Sequence, residues 1–194
     1  ATGIYTSRLA VIDTANGAQI GTTIVRTDDG DMDPIFSPDG NRMVFTTVVS
    51  DPVTGTTTTE LTTLDLMTGT HGSISVSGAW SAPILLTKNG SRALLRSGYT
   101  DPVSGAISTQ VAVLDTTSAT QTGTTVTFAG QEFGSRLVSV DGSRVLIVTS
   151  AYDGRTSTST TLLSMIDTTT GNQIGTTTSL SGYIDGGAQF SSDS

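Results

Sequence analysis

The sequence predicts an all-β fold: a β-propeller of about four four-stranded blades, or an arc of a larger propeller. Three observations predict it. First, one strand–turn–strand unit recurs: V-S-V-D-G-S-R-V-L-I-V at Val138, F-S-P-D-G-N-R-M-V-F at Phe36, L-T-K-N-G-S-R-A-L-L at Leu86, and a fourth copy, F-S-S-D-S, starting at Phe190. An apolar strand end, a D-G or N-G turn and a second apolar strand form a strong hairpin signal. Second, separate landmarks keep one period. Asp13, Asp65, Asp115 and Asp167 are spaced by 52, 50 and 52 residues, and Gly21, Gly72, Gly123 and Gly175 by 51, 51 and 52. The turn residues Asp39, Asn89, Asp141 and Asp193 are spaced by 50, 52 and 52. Third, no segment carries a 3.6-residue apolar period of helical length, so almost no helix is expected.

Each period holds four strand-sized pieces, the pattern of a propeller blade. The first is short and apolar, as in Pro34–Ser37 and Arg136–Ser139. The second follows the D-G turn, as in Arg42–Val49, Arg92–Ser97 and Arg144–Ser150. Its Val, Leu, Ile and Phe alternate only weakly, which reads as a strand covered on both faces. The third ends at the landmark aspartate, in R-L-A-V-I-D, E-L-T-T-L-D, Q-V-A-V-L-D and T-L-L-S-M-I-D. The fourth is Thr-rich, as in Ile20–Arg26 and Gly123–Phe128, and is placed at the outer edge. Between the third and fourth pieces, D-T-A-N-G, D-L-M-T-G and D-T-T-T-G put Gly17, Gly69 and Gly171 where a turn needs positive φ. Ala119 stands at that place in the third copy, so this turn is expected to differ or to be strained. A tandem β-sandwich is the rival architecture, but it needs about seven strands and roughly 100 residues per unit.

The chain reads as one domain, 1–194, with repeats at about 31–78, 79–130 and 131–182 and a partial blade from 1–30 plus 183–194. On this reading three full blades and three strands of a fourth are present, and only a second strand is missing. The unpaired strand edges invite self-association, and a longer parent protein is expected.

Lys and Arg total 9 against 17 Asp and Glu, giving a net charge of −8. Such a chain repels phosphate backbones, so no nucleic acid is expected as partner. The absence of cysteine excludes disulfide and thiol chemistry. No run approaches the roughly 18 apolar residues of a membrane helix, so no membrane insertion is expected.

Candidate chemistry is sparse. His71 is the only histidine and starts a fourth strand, where an exposed polar edge residue is expected. One histidine and no cysteine cannot build a transition-metal site. A Ser-His-Asp triad would have to use His71, and no G-x-S-x-G elbow exists. The run D-D-G-D-M-D places Asp29, Asp31 and Asp33 at alternating positions, a partial calcium-loop spacing without the later Gly and Glu. A solvated loop with weak Ca²⁺ affinity is expected there, and no other cofactor. The landmark aspartates 13, 65, 115 and 167 read as turn builders that accept backbone N–H bonds. Arg42, Arg92 and Arg144 are expected over the blade interfaces with packed stems. Trp80, Phe133 and Tyr183 lie in loops joining a fourth strand to the next first strand. In blade order these loops and the long D-P-V-x-G loops at Asp51 and Asp101 emerge on one face. The aromatics are the expected ligand-binding residues, unless they plug the centre of a small ring.

The S-P-D-G–R-strand unit followed by V-x-V-I-D-T-x-T-G, best seen at 37–40, 139–142, 11–17 and 165–171, resembles the YVTN and TolB-like bacterial propeller repeats. That resemblance implies the propeller fold. Relatives include lactonases and surface, periplasmic or cell-wall binding proteins. The Thr-rich repeats with D-P-V-T-G loops look like those of large exported actinobacterial proteins, which implies a secreted or cell-surface location. A non-catalytic module binding protein or glycan through one loop-rich face is the expected function, with no catalytic residue. A metal-assisted lactonase-like hydrolase and a structural spacer are the alternatives.

Overall fold

The computed structural model describes residues 5–28, 34–51, 53–54, 56–77, 84–87, 89–101, 103–132, 137–182 and 190–191. Among these there is no helix. Fifteen strands form four antiparallel sheets. The first sheet pairs β1 (Tyr5–Ile12) with β2 (Gln19–Asp28). The second orders β3 (Ile35–Phe36), β4 (Arg42–Ser50), β5 (Thr57–Asp65) and β6 (His71–Ser77) from one edge to the other. The third repeats this with β7 (Leu85–Leu86), β8 (Arg92–Thr100), β9 (Ile107–Asp115) and β10 (Thr120–Ala129). The fourth contains β11 (Gln131–Glu132), β12 (Leu137–Val138), β13 (Arg144–Asp153), β14 (Thr158–Asp167) and β15 (Gln173–Ser181). Both β11 and β12 pair with β13, so two short pieces share the first-strand place.

The D-G turns are held by a polar clasp. The buried Ser37 Oγ donates to Asp39 Oδ1 at 2.6 Å and accepts the Arg42 N–H at 2.9 Å. Thr87 repeats the clasp with Asn89 and Arg92, and Ser139 with Asp141 and Arg144. The landmark aspartates build the next turn. Asp65 Oδ1 accepts the Met67 and Thr68 N–H groups at 2.9 and 3.0 Å, and Asp115 and Asp167 do the same two and three residues on. Their carboxyls are consumed by architecture. The second strands run longer than the sequence predicts, because β8 and β13 continue into the loops on the far side.

The sheets stack face to face in chain order through three apolar layers. Ile24 of the first sheet packs with Met43, Phe45 and Leu64 of the second. Val44, Leu61 and Val76 of the second meet Ala93, Leu95, Ala112 and Leu114 of the third. Leu94, Val111, Val113 and Phe128 of the third meet Val145, Ile147 and Ile166 of the fourth. Central strands are therefore covered on both sides, and Ala93, Leu94 and Leu95 have no exposed surface. Several buried threonines pack a methyl while the hydroxyl finds a carbonyl. Thr109 Oγ1 donates to Gly130 O at 2.9 Å and Thr161 Oγ1 to Gly182 O at 2.7 Å. Each bond fastens the end of a fourth strand.

The fourth strands carry a feature that strand counting does not predict. Their register against the third strand slips in the first, third and fourth sheets, between Leu9 and Val11, Thr122 and Val126, and Leu163 and Met165. These are β-bulges, and Gly21, Gly123 and Gly175 sit in them with positive φ. In the second sheet β5 and β6 pair without a slip.

Candidate functional site

An open groove of about 630 Å³ lies where the third and fourth sheets meet, at the loop end. Three backbone events build it. The loop between β8 and β9 closes on Asp101, whose Oδ1 accepts the Val103 and Ser104 N–H groups at 2.9 and 2.7 Å, and delivers Gly105 and Ala106 to one wall. The chain then leaves β10 through Gly130, whose N–H bonds Ile107 O at 2.9 Å. Gly130 has φ +85, and a Cβ there would stand 2.5 Å from Ser150 O, so only glycine lets the chain cross against β13. Immediately afterwards Gln131 and Glu132 pair with Ser150 and Thr149, giving the groove a floor that belongs to the next sheet. Tyr152 on β13 forms the opposite wall and is 65% exposed.

One buried charge pair anchors the floor. The Arg96 guanidinium, 1% exposed on β8, bonds the Glu132 carboxylate across the junction between the sheets. A buried arginine is held where a carboxylate and further partners meet it. The pair fixes β11 to β8, and the remaining lining, Ile107, Tyr152, the Gln131 amide and the Gly130 backbone, supplies apolar contact, a phenol and hydrogen-bonding groups. These groups suit recognition of an extended, uncharged or weakly polar chain. The lining holds no histidine or cysteine. Among the described residues no group of three or more His, Cys, Asp or Glu is placed to hold a metal ion.

A second hollow, of about 360 Å³, opens at the opposite, turn end between the second and third sheets. It is lined by Arg42, Asp65, His71 and the turn Thr116–Ala119. Arg42 Nη1 spans it to the Thr116 and Thr117 hydroxyls at 3.1 and 2.6 Å. The Thr68 N–H, with smaller help from Met67 and Arg42, holds the Asp65 carboxyl below its ordinary range. His71 is exposed at the start of β6, paired with Leu64.

The predicted ligand-binding residues Trp80, Phe133 and Tyr183 and the predicted metal ligands Asp29, Asp31 and Asp33 lie outside the described residues. The long loop and the crossover do share one side of the molecule, since Gly105–Ile107 and Gly130–Glu132 line the same groove. Sequence reasoning missed Tyr152, Arg96 and Glu132 as site residues. The available signal was Arg96 itself, a charge in the middle of the apolar run A-L-L-R-S-G. Tyr152 stands where the third long loop reads Y-D-G-R-T-S-T-S-T in place of the D-P-V-x-G pattern, a change that does not by itself mark a site.

No family model matches the chain, and no curated protein matches it. Several solved structures do. The chain is similar to a eukaryotic initiation factor, with a TM-score of 0.50 and 12% identity over 80% of this chain and 33% of that one. It is also similar to the acylaminoacyl peptidase of Pyrococcus horikoshii, with a TM-score of 0.49 and 12% identity over 77% of this chain and 24% of that one. The β-propeller domain of the Trilobed protease from Pyrococcus furiosus gives a TM-score of 0.46 and 12% identity over 77% and 42%. The chain thus spans less than half the length of each. At such identity likeness speaks for fold alone. Four antiparallel sheets stacked in chain order, each full one built outward from a short first strand, make an all-β chain with the architecture of a β-propeller or an arc of one.

Proposed function

We propose that this chain is a non-catalytic binding module, an arc of YVTN/TolB-like blades that takes an extended peptide or glycan on its loop-rich side. The observation that carries this reading is the groove between Gly105 and Tyr152, a trough with an exposed aromatic wall and a floor pinned by the Arg96–Glu132 pair. Tyrosine binds well in such places because its ring offers large contact area and a polar tip at low entropic cost. The likeness of the Thr-rich repeats and D-P-V-x-G loops to those of large exported proteins supports a secreted or cell-surface location, and the spacing of Asp29, Asp31 and Asp33 supports weak Ca²⁺ binding. The acidic balance disfavours nucleic acid.

The test is to display the labelled chain on glycan and peptide arrays and measure the best hits by titration calorimetry. Tyr152→Ala is expected to weaken binding at least tenfold while the melting midpoint stays unchanged, because the side chain is largely exposed. Undiminished binding by Tyr152→Ala would remove the groove from the account. Calcium titration in the same instrument is expected to give only weak heat, and a tight site abolished by Asp31→Ala would overturn that part.

A further inference from the structure

Successive sheets meet through a repeated set of contacts. A fourth-strand glycine meets the turn of the next sheet: Gly21 stands against Gly69, Gly72 against Ala119 and Gly123 against Gly171. The arginine after the D-G turn grips that turn. Arg42 bonds Thr116 and Thr117, and Arg92 Nε bonds Thr168 O at 3.2 Å. An apolar fourth-strand residue is buried against the next sheet, Val76 at 8% exposure and Phe128 at 4%.

At the two ends of the stack the same contacts are half made. On the fourth sheet Gly175 has nothing among the described residues within 4 Å of the place a Cβ would take. Arg144 is exposed and its side chain meets no partner among the described residues. Leu180, which pairs with Thr161 as Phe128 pairs with Thr109, is 42% exposed. On the first sheet the complementary half is open. Gly17 likewise has nothing within 4 Å. Thr14, at the place of Thr116 and Thr168, is exposed. Ile12 is 51% exposed, although its counterparts Leu64, Leu114 and Ile166 are at most 2% exposed.

We propose that these end faces are the two halves of one further junction, and that a second copy of this chain supplies the missing half head to tail. Gly175 of one copy meets Gly17 of the next, Arg144 reaches the Thr14 turn, and Leu180 and Ile12 enter a shared apolar layer. The occupant is identified by continuity, because three junctions of this kind already exist within the chain. The contact joins sheet faces, not strand edges. It is heterologous, so each copy keeps one open half, and association continues unless a ring closes.

Sedimentation velocity on the 194-residue chain over a wide concentration range tests this. The mean mass is expected to rise with concentration. Leu180→Lys and Ile12→Lys, both at exposed positions, are each expected to abolish the rise while the circular dichroism melt is retained. An equal mixture of the two is expected to form a dimer and nothing larger, because only one pairing of faces remains intact. A wild type that stays monomeric at every concentration overturns the proposal. So does a mixture that stays monomeric. Single variants that associate like wild type would show edge-to-edge strand pairing and overturn it too.

Discussion

Replacing Glu132 is the sharpest probe of the groove floor. Glu132→Gln removes the carboxylate that meets Arg96, whose guanidinium is 1% exposed. Breaking a buried pair by removing one partner costs about 3–5 kcal/mol. The Glu132 side chain is 20% exposed, so water reaches this site and the lower end applies, about 3 kcal/mol. That is a large share of a typical stability of about 5–15 kcal/mol. In a domain of this size it lowers the melting midpoint by about 6–12 °C. Arg96→Met is the control. Val148 holds the equivalent place in β13 and is buried, so the fold accepts an apolar side chain there, and the freed Glu132 can face water. Its cost is expected below about 1.5 kcal/mol. Urea unfolding followed by circular dichroism measures both, with an unchanged slope showing that stability alone has moved. The reasoning is refuted if Glu132→Gln costs less than Arg96→Met, or if the two losses are equal.

Two further outcomes follow from the turns. The Ser139 hydroxyl and the Ser143 N–H and hydroxyl pull Asp141 from its ordinary 3.8 down to about 2, and the Ser37 hydroxyl and Asn41 N–H lower Asp39. A carboxyl with a depressed folded-state pKa adds stability above its unfolded value and loses it as pH falls through the folded one. Melting midpoints should therefore hold above pH 4 and fall towards pH 2, less steeply in Asp141→Asn; an identical slope in that variant removes Asp141 as a cause. In dilute solution Gly17→Ala should cost only the left-handed backbone strain of about 1–2 kcal/mol. Gly171→Ala, whose Cβ would fall on the Thr122 carbonyl, should cost about 1–3 kcal/mol more by urea titration, and equal losses would deny the contact between sheets.

The architecture was legible because it is written in short-range chemistry repeated at fixed spacing. The Asp39, Asn89 and Asp141 turns, the landmark aspartates and the outward strand order need only neighbouring residues, and each stands as expected. The bulges were hidden, since G-T-T reads as ordinary strand and only pairing against the third strand shows the extra residues. Arg96 and Glu132 are 36 residues apart, and nothing local announces that the crossover at Gly130 brings them together. Charge pairs across a junction depend on which face each strand turns to its neighbour. A period in the sequence fixes the order of strands and leaves that pairing open.

Two departures from the repeat meet at one place. Ala119 stands where Gly69 and Gly171 stand, and keeps their left-handed backbone at φ 51. The second sheet alone lacks a fourth-strand bulge, so β6 runs two residues shorter against β5. At the other junctions two glycine backbones touch, and a Cβ on Gly21 would lie 2.6 Å from the Gly69 Cα. Where the bulge is missing the backbone recedes, and a methyl group fits: the neighbour of Ala119 is Gly72, whose Cβ, if present, would lie 2.9 Å from the Ala119 Cβ. Gly72→Ala should thus cost about 1–3 kcal/mol through that contact alone, because Gly72 is not in the positive-φ region. In the Ala119→Gly background the obstacle is gone, and the same substitution should be neutral or stabilise by about 0.4–1 kcal/mol by restricting the unfolded chain. Urea midpoints of the four proteins give a coupling energy of about 1 kcal/mol or more. Additive effects would mean that positions 72 and 119 do not press on one another, and would deny this contact between the second and third sheets.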